Sequence, residues 1–251
     1  MIFLIALVEA LVFVIYCRKA IQKHPGIFYG ISIAIVALIV VYQKANLYTV
    51  LPEWTYTYIV SVFWRGAFAT ALFVIVMFLG AIEKRNNIVK QLMPIRGNLA
   101  IMASLITLAH SIVYGAYYIT TMFNAPQELS LRDIFSLIIT VPLFTLMILL
   151  MATSFTKIRR RMKPATWKKL QKLSYLWFAL MYIYLMELLV PSMLDALKPS
   201  SDMEMWYKVN YVVSVVVYTL IFGSYLVLRV RKAIRDKTSK KGIVYRSFEA
   251  A

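Results

Sequence analysis

The chain has 251 residues, of which 61% are hydrophobic and only 16% charged, with a net charge of +17 and a mean hydropathy of +0.72. These values exclude an ordinary soluble domain and a disordered chain, and point to a membrane protein. The single cysteine, Cys17, excludes an intrachain disulfide, a Cys-pair metal site and a C-x-x-C-H haem attachment.

A bilayer core is crossed by roughly 20 apolar residues rising ~1.5 Å each. Runs of about that length fall at 2–17, 27–46, 55–81, 97–122, 132–154, 171–196 and 207–228. The expectation is an all-α polytopic bundle of about seven transmembrane helices, forming one integral membrane domain over 1–251. The first run carries Glu9, lacks a basic leader and a small-x-small cleavage site, and is followed by Arg18 and Lys19, so it reads as a retained helix. The third contains Arg65 and the fourth His110, in "RGNLAIMASLITLAHSIVYGAYY". At helical spacing His110 shares a face with Gly97, Ala100, Ala103 and Thr107 before it and Tyr114 and Tyr117 after it, which lets a partner helix or flat ring approach closely. The fifth and sixth runs hold Pro142 and Pro191, expected to kink their helices. The sixth also carries Glu187, and the seventh leads into the basic tail 229–251.

Charged groups in hydrocarbon cost roughly 2.5–3.5 kcal/mol on insertion scales, so Glu9, Arg65, His110 and Glu187 are candidate functional residues. Glu9, Arg65 and Glu187 read as a buried charge cluster in which Arg65 faces Glu187 or Glu9. Of the 28 basic residues, 23 follow the first, third, fifth and seventh runs. The charge is therefore topological: by the positive-inside rule the N-terminus is outside and the C-terminus cytoplasmic, in a multi-pass cell-membrane protein with no nucleic-acid partner. The basic loop 157–172 and the tail could also meet anionic lipid or an acidic protein. No G-x-G-x-x-G or G-x-x-x-x-G-K-[ST] occurs, so any electron donor or acceptor is expected on another molecule.

"IRGNLAIMASLITLAH" followed by "MATSFTKIRRRMKPATWKKLQKLSYL" resembles the ferric reductase-like transmembrane domain family, over a core at about 95–190. The residues that carry the resemblance are Arg96, Gly97, His110, Thr153, Ser154, Trp167, Leu170, Lys172 and Tyr175. It implies a haem held between histidines on the first and third helices of that core, with His110 as the first-helix ligand to the iron. At the third-helix histidine positions this chain has Gln171 and Tyr184. The only other histidine, His24, falls in the loop after the first run, so a bis-histidine haem is not expected. Four arrangements remain open: Tyr184 as a tyrosinate ligand, Met181 or Met186 as a thioether, His110 as sole ligand, or no haem. Arg65 is a candidate for the propionates of a porphyrin or the head of a quinone.

The resemblance implies a membrane-embedded redox subunit with haem b, flavin or quinone as cofactor. It would take electrons from a separate flavoprotein or quinol and pass them across the membrane, through a site around His110, to an extracytoplasmic acceptor protein. The alternative is a cofactor-free membrane scaffold or assembly partner with the same fold.

Overall fold

The computed structural model describes residues 2–82 and 87–249, and among these it is all-α with no strand. Helix α1 spans Ile2–Lys23 and α2 spans Pro25–Lys44. Pro25 stands at the first turn of α2, where its missing N–H would have had no partner. After a π-helical turn at Thr55–Val60 come α3, Ser61–Trp64, and α4, Ala67–Ala81. Then follow α5, Asn87–Leu92, and the long α6, Arg96–Asn124. Helix α7, Leu131–Ser154, is started by a capping box in which Ser130 and Asp133 satisfy each other's backbone. The basic loop forms two short helices, α8 at Thr156–Arg161 and α9 at Pro164–Gln171. Helix α10 covers Leu173–Ala196, and α11 runs from Met205 to Glu249.

Five helical stretches among the described residues are long and apolar enough to cross a membrane: Pro25–Lys44, Asn87–Asn124, Leu131–Ser154, Pro164–Ala196 and Met205–Asp236. Two of the seven expected runs differ from these. Helix α1 has the length, but carries Glu9 and ends in Arg18, Lys19 and Lys23. The run at 55–81 is not one helix, because it breaks at Arg65 and Gly66, and Gly66 has φ +71°. Only glycine adopts that left-handed backbone without a Cβ penalty, so an apolar run that reads as continuous stops and restarts there. Of the basic residues behind the expected orientation, Lys84 and Arg85 lie outside the described residues.

Helix α4 is apolar on every side and buried along nearly its whole length, which makes it the axis of the bundle. It packs on α1, α6 and α11; α6 also packs on α2 and α7, and α10 on α7 and α11. Small residues allow this: Ala6 and Ala10 of α1, Ala71 of α4 and Ala103 of α6 are fully buried. Two cationic side chains tie neighbours to the end of α4. Arg96 Nε donates to the Val76 carbonyl at 2.8 Å, and Lys232 Nζ to the Gly80 carbonyl at 2.7 Å. The ring α4–α6–α7–α10 leaves space at two levels, and the expected site residues divide between them.

Candidate functional site

The helix break creates the site. The last carbonyls of α3 have no intrahelical partner, and that of Trp64 accepts a hydrogen bond from His110 Nδ1 at 3.1 Å. A carbonyl can only accept, so Nδ1 carries the proton, and in the neutral imidazole the lone pair is on Nε2. Nε2 has no hydrogen-bond partner among the described residues. Gly66 lies flat against the ring, since a Cβ there would stand 3.6 Å from His110 Cγ. The Tyr114 ring, 4.8 Å away centre to centre, covers another side of the imidazole.

His110 borders a cavity of about 140 Å³ between α4, α6, α7 and α10. Arg65, Met181 and Tyr184 border it too, so four of the five expected cofactor-binding residues meet in one space. The hydroxyls of Thr70, Thr107, Ser111 and Thr140 add polar atoms to a wall otherwise made by Phe73, Leu143, Phe144, Met147 and Trp177. Trp177 is held by donating its indole N–H to the Leu143 carbonyl at 2.9 Å, and its ring packs on Phe73 at 4.3 Å.

Gln171 is elsewhere. It ends α9, donates to Thr153 Oγ1 at 3.1 Å, and borders a second cavity of about 360 Å³ towards the basic loop. Gln171 precedes Tyr184 by about 13 residues in the helical stretch Pro164–Ala196, which at ~1.5 Å rise places it roughly 20 Å away along the bundle, at the level of the second cavity. Met186 is also off the site: it faces α11, where Thr219 Oγ1 lies 3.9 Å from its sulfur. His24 is exposed at the junction of α1 and α2 and borders neither cavity.

The charge cluster of Glu9, Arg65 and Glu187 does not form. Glu187, 9% exposed, pairs with Arg132 at 3.3 Å and accepts from Ser136 Oγ at 2.8 Å. Arg132 also donates to the Leu188 carbonyl at 2.8 Å and, more loosely, to that of Glu187 at 3.4 Å. Pro191 explains this contact: without an N–H it cannot bond the Glu187 carbonyl four residues back, and the guanidinium covers the freed oxygen. Glu9 is exposed on α1, and Arg65 is exposed at the cavity rim, with no ion pair to either carboxylate among the described residues. Two signals pointed to this outcome. Arg132 and Ser136 are one turn apart on the same face of α7, and Gly66 directly follows Arg65 in an apolar run.

The donor set fits an iron on one side only, through His110 Nε2 with its tautomer fixed from behind. The space does not fit a porphyrin. A cavity of ~150 Å³ in a protein core accommodates one benzene ring, and a haem surrounds its iron with four pyrrole rings. Among the described residues no three His, Cys, Asp or Glu side chains come together as a metal-binding group.

Residues 65–183 match the family model described as "Ferric reductase like transmembrane component". A protein of Treponema pallidum (strain Nichols), named "Uncharacterized protein", is 32% identical over 234 residues. That match covers 92% of this chain, and the chain spans 60% of the length of that relative. No solved structure matches. The matched segment begins at Arg65 and includes His110, Met181 and most of the cavity wall, so the chain is a multi-pass membrane protein with a central segment similar to that family model.

Proposed function

We propose that this protein is the membrane subunit of a redox system and that the His110 cavity takes the single-ring head of a quinol. The observation that carries the reading is that His110, whose Nε2 has no hydrogen-bond partner among the described residues, borders with Tyr184 and Arg65 a space of about 140 Å³. Haem does not fit that space, and a flavin, with three fused rings, is also too large for it. One six-membered ring is of the right size. His110 Nε2 can accept the proton of one quinol hydroxyl, while Tyr184 and the threonine hydroxyls can bond the other oxygen. Arg65 at the rim attracts the electron-rich oxygens without closing the entrance.

In this reading α1 and the broken α3–α4 pair also cross the membrane, giving seven spans with the N-terminus outside, as the distribution of basic residues supports. Oxidation of the quinol releases two electrons and two protons. The electrons pass to an extracytoplasmic acceptor protein; one proton goes first to His110 and the other leaves past Arg65.

Organic extraction of the purified protein is expected to return a quinone. A short-chain quinone added to stripped protein should quench tryptophan fluorescence, with binding weakened roughly 2- to 10-fold in His110→Ala, the worth of one hydrogen bond. No extracted quinone together with no quenching would refute the proposal. A Soret band shifting on reduction would replace quinol by haem. The second reading, a cofactor-free scaffold, is favoured by His110 Nδ1 already closing the Trp64 carbonyl, a purely structural task. It is selected if no cofactor binds and deletion of the protein dissolves a partner complex.

A further inference from the structure

The larger cavity, about 360 Å³, has an unusual charge balance. Arg96 and Arg159 border it, and no Asp or Glu does. Neither guanidinium has an ion pair among the described residues. Arg96 is half-buried, and only its Nε is bonded, to Val76. Its two terminal nitrogens crowd the Cα of Gly80, where a Cβ would stand 2.9 Å and 3.1 Å from them, and have no acceptor among the described residues. Arg159 stacks over the Trp167 ring at 4.3 Å, which holds the planar cation at the mouth. Trp167 is itself fixed by donating to the Thr153 carbonyl at 3.0 Å.

One further donor residue, Asn98, borders the same space. Asn98 accepts from Tyr29 through Oδ1 at 2.9 Å, which leaves its amide N–H groups to donate. Deeper in, Phe73, Val76, Met77, Met147 and Trp177 make the wall apolar. A half-buried guanidinium with unused donors, a second one stacked in place, and an apolar interior together describe a receptor for an anion attached to an apolar body.

We infer that this cavity binds a phosphate ester, with the phosphoryl oxygens on Arg96 and Arg159 and the ester's apolar portion against Met77, Met147 and Trp177. Guanidinium forks match phosphate oxygens in pairs, which suits this role better than a lysine would. The site lies at the basic end of the bundle, where α6 begins and α7 ends, so a phospholipid headgroup and a soluble phosphate ester can both reach it.

The test uses the full chain in neutral detergent. Native mass spectrometry reads retained phospholipid after exposure to phosphatidylglycerol or phosphatidylcholine, and thermal unfolding reads stabilisation by inorganic phosphate against chloride at equal ionic strength. Lipid retention without a phosphate effect identifies a headgroup as the source, and a phosphate effect identifies a soluble ester; both support the site. Arg159→Gln is expected to weaken either response at least fivefold. Because Arg159 holds no backbone carbonyl, that variant keeps the fold; Arg96→Gln also breaks the Val76 bond and serves only as confirmation. The double variant Lys168→Gln/Lys169→Gln removes exposed charge outside the cavity and should respond like wild type. The inference is overturned if neither lipid nor phosphate binds, or if the lysine variant loses as much as Arg159→Gln.

Discussion

Replacing Gly66 by alanine tests the origin of the helix break. The left-handed backbone there, φ +71°, costs an L-residue about 1–2 kcal/mol. The added Cβ itself meets only ordinary van der Waals contact, 3.6 Å from His110 Cγ, so no clash is added to the backbone cost. For a chain of this length ~1 kcal/mol moves Tm by roughly 2–4 °C, so Gly66→Ala should melt about 2–8 °C below wild type. Gly66→Asn should recover much of that, because a short polar side chain tolerates this conformation. Gly115→Ala is the control: that glycine is helical with open space around its Cβ position, and its replacement should be neutral or slightly stabilising. Thermal unfolding in one detergent, followed by circular dichroism, compares the four proteins. An alanine variant as stable as wild type, or an asparagine variant worse than alanine, refutes the account of the break.

His110→Ala removes the donor that closes the Trp64 carbonyl, and unfolding should show a loss of about 1–3 kcal/mol even without any cofactor. Arg132→Ala leaves the buried Glu187 carboxylate with Ser136 alone, and the same assay should show a larger loss than for Glu187→Gln, whose amide keeps both neighbours. Gly80→Ala puts a Cβ within 2.9 Å of the Arg96 guanidinium and must push it aside. It should reduce phosphate-dependent stabilisation while leaving quinone quenching unchanged.

Hydrophobic run length located the helices because a membrane span must be both long and apolar, and this property is written locally. Arg65, His110, Met181 and Tyr184 border one cavity; the sequence named His110 and Tyr184 through the family resemblance, Met181 as a neighbour of Tyr184 on one face, and Arg65 only as a charge in an apolar run. The break at Gly66 was not, because hydropathy averages are blind to φ and the residues around it stay apolar. Glu187 found an unexpected partner because Arg132, at the edge of its run, reads as a headgroup residue, whereas the packing of α7 on α10 brings it within reach of Glu187 while it stays exposed. Gln171 came from the family resemblance, and helical rise alone sets it at the level of the larger cavity, apart from His110. The larger cavity left no periodic signature, since its wall is assembled from six helices.

Phe73, Met147 and Trp177 border both cavities, so one layer of apolar side chains separates two polar-lined hollows stacked along the bundle. A wet passage at this point would short-circuit the membrane, as each elementary charge crossing releases about 2.3 kcal/mol per 100 mV. The Trp177 indole, pinned to the Leu143 carbonyl and packed on Phe73, holds the apolar layer that both cavities share, the place where such a leak would have to pass.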